Sequence, residues 1–227
     1  MFNIITIGSG SYANFISKML KSKNVEHNVD SIFVCQELNF RALNPDMVIF
    51  TGGEDVDPSM YGHDKHYTTT SMISRDKMEK QILRGCLSNN VLMVGICRGS
   101  QFLWTMGGGK LFQDVENHGR HHSVFDFTLN TNYMVNSTHH QMANVFYKPE
   151  NTEILAVSDP NLSNYHVTYN SNSGGFDSVE HVVEIEAWID RKSKILGIQW
   201  HPEMTSCPTE GKNLAMRYVE ELIKCKE

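Results

Sequence analysis

The chain has 227 residues, enough for one α/β unit with a substantial core and too few for two comfortable ones, so a single domain spanning 1–227 is expected. Apolar residues make up 40% and charged residues 20%, the balance of a soluble globular protein rather than a disordered or membrane-embedded one. The net charge of −6, with no dense Lys/Arg cluster, speaks against a nucleic-acid partner, because phosphate binding is largely neutralisation by Lys and Arg.

The chain starts Met1-Phe2-Asn3-Ile4-Ile5-Thr6-Ile7, without a basic leader, and reads as a first strand rather than a signal peptide. No apolar stretch approaches the length of a membrane span, so no membrane partner and a cytoplasmic location are expected. The five cysteines are odd in number and lack metal-type spacing, which fits free thiols in a reducing compartment.

After the first strand, Gly8-Ser9-Gly10-Ser11 turns the chain into a helix carrying Ala13, Ile16, Met19 and Leu20 on one face. That turn lacks the third glycine of a dinucleotide fingerprint. Ser31 to Val34 reads as a second strand and Met47 to Phe50 as a third, closed by Gly52-Gly53. Met78, Ile82 and Leu83 give Ser74 to Leu87 helical spacing. The second half reads as shorter β segments: Val124 to Leu129, Tyr133 to Val135, Ile154 to Val157, Val182 to Trp188 and Ile195 to Trp200. Between them, Asn161 to Ser178 is polar and Gly-rich, a loop or hairpin, and Gly211 to Lys224 closes the chain as an amphipathic helix. The alternation predicts a doubly wound, mostly parallel sheet flanked by helices, flavodoxin-like, with an added antiparallel portion in the second half. The site belongs at the C-terminal edge of the parallel strands.

The chemistry concentrates in Gly95-Ile96-Cys97-Arg98-Gly99, which follows the apolar run Val91 to Val94 and opens a helix. Strand, Gly-x-Cys-x-Gly turn and helix together make a nucleophile elbow, with sulfur as nucleophile. A helix N-terminus favours the reactive thiolate. A thiol also needs a base, and the base a group that holds its tautomer. The β-type run ending in His201-Pro202-Glu203 supplies both, because residues two apart on an extended chain point the same way. Cys97, His201 and Glu203 are therefore the expected catalytic set. The backbone N–H just after an elbow nucleophile, that of Arg98, is an expected oxyanion donor.

These residues resemble the class I glutamine amidotransferases, and within them the γ-glutamyl hydrolase branch. The similarity rests on Thr51 to Pro58 with Tyr61-Gly62, on Arg75-Asp76 with Glu79, and on Gly95 to Gln101. It continues through Gly107 to Asp114, Val135 to Gln141 and Gly197 to Glu203, in family order over most of the chain. The resemblance implies a second oxyanion donor at Gly53 and a substrate-facing Gly52. It also implies a hold on the glutamyl α-amino and α-carboxylate groups by Gln101 and the backbone at Ser137 and Thr138. It implies a small-molecule γ-glutamyl substrate and no cofactor. Arg98, with Asp55 to Pro58 and Asn136-Ser137, matches the hydrolase branch, whereas Trp104-Thr105 and the short front end depart from it.

Two histidine groups invite a metal reading. His139 and His140 are adjacent on a strand, point to opposite faces, and are not expected to ligate jointly. His118, His121 and His122 have no Cys or carboxylate at familiar zinc spacing and read as a loop near the site mouth, so no metal site is expected. Three functions remain in view: a free-standing γ-glutamyl amide hydrolase, a glutaminase subunit feeding ammonia to a partner synthetase, and an inactive binding module. A homo-oligomer stays open, and no Walker-type loop is present.

Overall fold

The computed structural model describes residues 1–226. Strands β1 (Phe2–Ile7), β2 (His27–Ile32), β3 (Met47–Phe50) and β4 (Leu92–Ile96) alternate with helices α1 (Asn14–Ser22), α2 (Phe40–Leu43) and α3 (Ile73–Ser88). Helix α4 (Arg98–Met106) leaves the end of β4 directly. Next come β5 (Leu111–Phe112), β6 (Asp114–Val115), β7 (His122–Asp126), β8 (Thr131–Val135) and β9 (Met142–Ala143). Strands β10 (Glu153–Ser158), β11 (His166–Asn170), β12 (Gly175–Val179), β13 (Ile185–Asp190) and β14 (Ile195–Ile198) precede the last helix, α5 (Thr209–Lys224).

Nine of these strands form one sheet in the order β2-β1-β3-β4-β14-β13-β10-β7-β8. The first five are mutually parallel and the remaining pairings antiparallel, which is the doubly wound sheet with an antiparallel extension that the sequence predicts. The central strands are apolar on both faces because helices cover both. Along β3, Met47 and Ile49 enter one core with Ile16, Leu214 and Tyr218, while Val48 and Phe50 enter the other with Ile82, Phe102 and Trp104. Such strands read as continuous apolar runs and are easily found.

The edges differ from expectation. Strand β2 occupies His27–Ile32, in register with β1 from Phe2↔His27 to Ile7↔Ile32, rather than Ser31 to Val34. An edge strand buries little, so its sequence is polar, and the apolar Phe33 beyond it is 82% exposed. The other margin of the sheet, β8, donates Met134 N–H to Glu210 Oε1 of α5 at 2.9 Å. Strand β7 ends at Asp126 rather than Leu129, because Asp126 accepts from the Thr128 and Leu129 N–H groups and turns the chain. The polar stretch Asn161 to Ser178 contains β11 and much of β12, a hairpin that pairs with β6 in a small second sheet.

Under the parallel half lies a buried chain of charges. Arg98, 2% exposed, pairs with Asp76 and Glu79 of α3. Glu79 Oε1 also accepts from Arg75 Nε at 2.8 Å, and Arg75 Nη2 donates to the carbonyls of Thr51 at 2.9 Å and Gly52 at 3.1 Å. Asp76 Oδ2 accepts the Asp57 N–H at 3.0 Å. Two guanidiniums and two carboxylates balance, so the elbow helix, α3 and the loop after β3 are locked together without a net buried charge.

Two outcomes follow. Arg98→Met, which strands Asp76 and half of Glu79, is expected to cost about 3–5 kcal/mol in urea denaturation, far more than an exposed Arg→Met control. The second concerns Asp126, which bonds the Tyr218 hydroxyl at 2.9 Å and pairs with Arg217. Burial alone would raise this carboxyl, but the bonds from Thr128, Arg217 and Tyr218 outweigh it and hold its pKa below the ordinary value. A depressed carboxylate stabilises the fold above the unfolded-state pKa, about 3.9, and loses that contribution as pH falls below it. Asp126→Asn is expected to lower stability at neutral pH and to flatten the loss between about pH 4 and 2, read as urea midpoints against pH.

Candidate active site

Three neighbouring parallel strands, β3, β4 and β14, end side by side, and each hands one part of the site to the same edge. Strand β3 runs into Thr51-Gly52-Gly53, β4 into Cys97, and β14 into Gln199-Trp200-His201. The strand order thus brings together residues that the chain separates by about a hundred positions.

At the elbow, Cys97 has φ 51°, ψ −110°, a conformation L residues rarely adopt. The flanking glycines make it possible. A Cβ on Gly99 would stand 1.9 Å from Phe50 O, and one on Gly95 2.6 Å from the backbone of Gly99 and Ser100. The thiol sits at the N-cap of α4, where the first N–H groups, that of Arg98 included, have no intrahelical acceptor. Across the edge, His201 N–H donates to Asn136 Oδ1 at 3.1 Å, and His201 Nδ1–H donates to Glu203 Oε1 at 2.7 Å. This fixes the tautomer and leaves Nε2 for the thiol.

Burial opposes an imidazolium at His201, but hydrogen bonds and charge from Cys97 and Glu203 outweigh it and push the pKa up to about 10. Cys97 and His201 are 7% and 4% exposed, so the pair works largely out of water. Cys97, His201 and Glu203 thus lie together at this edge, with His201 bonded to Glu203 and within the influence of Cys97.

The loop after β3 approaches the pair from the other side. A Cβ on Gly52 would lie 3.1 Å from His201 Cε1 and 2.8 Å from the Tyr12 hydroxyl. Gly53 has φ 142°, and its Cβ would strike Arg75 Nη1 at 2.2 Å. Both glycines are needed for the loop to pass between the histidine and the arginine. Tyr12 is a site residue that the sequence did not single out. Its hydroxyl pKa is raised to about 12 by burial and then by the nearby Glu203 and Cys97 charges. The only local signal is its position in the turn after β1.

The remaining predicted residues sit close by with more of their bonding capacity committed. Gln101, one turn into α4, donates from Nε2 to Gln141 O at 2.7 Å and to Gln199 Oε1 at 3.2 Å. It cross-links the strip 136–141 to β14, so its amide nitrogen is already spent. Ser137 Oγ donates to His118 O at 2.6 Å, while Thr138 is exposed. Of the two adjacent histidines, His139 turns inward, its ring centroid 4.5 Å from that of His118, and His140 turns out between Asp55 and Asp114. The two point apart, though they lie in the irregular segment between β8 and β9 rather than on the strand the sequence suggested. The hydrogen bonds from His140 to those two carboxylates outweigh its partial burial and raise its pKa.

The group His118, His121 and His122 is a correction. Only His121 is exposed; His118 and His122 are 1% and 4% exposed and lie inside the fold rather than at the site mouth. They face Glu184 and Glu186, which come from the far end of the chain and could not be matched by local spacing.

Residues 41–203 match the family model described as Peptidase C26. A glutamine amidotransferase-like protein of Lactococcus lactis subsp. lactis (strain IL1403) is 30% identical over 183 residues, 70% of this chain and 66% of its own length. The glutamine-hydrolyzing GMP synthase of Clostridium acetobutylicum is 23% identical over 96% of this chain, which spans 36% of that enzyme. The crystal structure of a glutamine amidotransferase from Thermotoga maritima superposes over 99% of this chain and 85% of its own, with a TM-score of 0.58 at 16% identity, a likeness of fold. No helix among the described residues is long and apolar enough to cross a membrane. On the matched residues and the fold together, the chain belongs to the Peptidase C26 family, among the class I glutamine amidotransferase-like proteins.

Proposed function

We propose that the chain hydrolyses a γ-glutamyl amide, glutamine or a γ-glutamyl amine or peptide, through a thioester on Cys97. The observation that carries the reading is the line Cys97–His201–Glu203 at a helix N-terminus, with His201 Nδ1 2.7 Å from Glu203 and its pKa lifted to about 10. With its pKa raised, His201 holds a proton on the ring for the departing amine, and a helix N-terminus favours attack by anionic sulfur. The sulfur attacks the γ-carbonyl carbon, and the carbonyl π electrons move to oxygen. The N–H groups of Gly53 and Arg98 stabilise that oxyanion. Collapse breaks the C–N bond, His201 gives its proton to the departing ammonia or amine, and a γ-glutamyl thioester remains. Water, losing a proton to His201, then releases glutamate and restores the thiol.

The glutamyl end is held by the strip that includes Ser137 and Thr138. Gln101 braces that strip from behind through its bond to Gln141 O, with Gly52 keeping the approach open. A second reading, delivery of ammonia to a partner synthetase, draws on the likeness to a glutamine-hydrolyzing GMP synthase over nearly the whole chain. The two differ in a measurable way. Purified protein releasing glutamate from a panel of γ-glutamyl amines without any partner supports the free-standing hydrolase. Slow turnover of glutamine alone, rising with a partner, supports the ammonia-delivery role.

Cys97→Ala is expected to abolish glutamate release. His201→Asn is expected to reduce it by about 10²–10⁴-fold. Peptide mapping after iodoacetamide treatment at pH 7 should show Cys97 alkylated several-fold more slowly in His201→Asn, with the exposed Cys35 unchanged as internal control. Gly53→Ala separates the parts: its Cβ displaces Arg75 and the oxyanion loop, so turnover should fall while Cys97 alkylation persists. Undiminished glutamate release by Cys97→Ala overturns the thiol mechanism.

A further inference from the structure

We propose that His118, His139 and Glu186 form a divalent-metal site, of the imidazole–carboxylate kind that suits zinc, buried behind the catalytic histidine. Ligand atoms of the three side chains lie within 4.8 Å of one another. They come from three separate pieces of chain: the segment after β6, the strip after β8, and β13. Zinc bonds of about 2.0–2.2 Å place tetrahedral ligand atoms roughly 3.4 Å apart, so closure needs side-chain shifts on the order of 1 Å.

The hydrogen-bond inventory points the same way. His118 Nδ1 and Nε2, His139 Nε2 and Glu186 Oε2 are all buried and, among the described residues, without a hydrogen-bond partner. Orphaned buried polar atoms are rare, and four in one place ask for an occupant. His139 Nδ1–H donates to Gln141 O at 2.9 Å, which leaves the Nε2 lone pair unprotonated and directed at the cluster. Glu186 is held the same way. Its Oε1 accepts from His122 Nε2 and Ser158 Oγ, both at 3.0 Å, and its Oε2 is left over. Oriented ligands whose other atoms are anchored to carbonyls, hydroxyls or second imidazoles are how protein metal sites are built.

Charge completes the case. Glu184 and Glu186 are 0% and 1% exposed, and among the described residues the ion pairs that reach them come from histidines alone, with no Lys or Arg. Glu184 is fully engaged by the Leu162 and Ser163 N–H groups and by His166, and stands behind His118 at 3.4 Å. One dication bound here would balance both carboxylates. The contacts of His118 with Glu184 and Glu186, 3.4 and 3.7 Å, are too long for good hydrogen bonds and do not satisfy its ring nitrogens.

Such a metal is a brace rather than a reactant. His118 O already accepts from Ser137 Oγ and His139 N–H, and Asn136 of the same strip accepts the His201 N–H. Metal binding would pin this strip to β13.

The test uses the full chain without an affinity tag, in the Cys97→Ala background so that the active-site thiol cannot capture metal. Metal content by plasma mass spectrometry comes first, followed by chelator treatment and titration with Zn2+ and Co2+. One equivalent should bind, with the intense visible bands of four-coordinate Co2+ and a rise in thermal midpoint. Glu186→Gln and His139→Gln should lose it, His121→Gln should keep it, and Ser158→Ala should weaken it by about 10-fold or more. Should a ligand variant not fold, the Co2+ spectrum of the Cys97→Ala chain decides. No stoichiometric binding, or one equivalent that survives both ligand variants, overturns the site.

Discussion

The buried run Arg98–Asp76/Glu79–Arg75–Gly52 is the constraint on which the rest of the structure depends. It begins one residue after Cys97 and ends on the Gly52 carbonyl of the loop beside it. The two points follow different strands, β4 and β3, and the run of side chains ties them together. A salt bridge in water would hold them loosely. Inside the fold, where Arg98, Asp76 and Glu79 are shut off from water, the same pairing becomes a rigid spacer, and losing one member leaves its partners charged and dry.

That spacer explains why the parallel half of the sheet can carry a strained residue at its edge. Cys97 stays at positive φ because the surroundings hold it there: Phe50 packs against Gly99, and Arg98 is clamped to α3. The antiparallel half serves a different end. Strands β13, β10, β7 and β8 extend the platform, and the strip after β8 returns over it to meet His201 through Asn136.

Much of this is legible in the residues. The elbow declares itself because glycine at both flanks has a local steric cause, and His201-Pro202-Glu203 because extended backbone aligns alternate side chains. The central strands are plain because both faces are apolar. What stays hidden depends on contacts across the fold. Arg75, Asp76 and Glu79 resemble the exposed charges of any amphipathic helix, and nothing near them in sequence says that they are buried. Tyr12 and Asn136 act on residues more than sixty positions away. His118 has no partner at short range because Glu184 and Glu186 lie some seventy residues downstream. Strand β2 is hard to locate for the opposite reason: as an outer strand it has little to bury, so apolar content marks its end rather than its body.

The two margins of the large sheet also bear on how copies of this chain can meet. One margin is a polar strand whose alternate residues, among them Asn28 and Asp30, face solvent; the other has a main-chain donor occupied by the carboxylate of Glu210. Neither offers a flat apolar ribbon to a neighbour. Growth of the sheet from molecule to molecule is thereby discouraged at both ends.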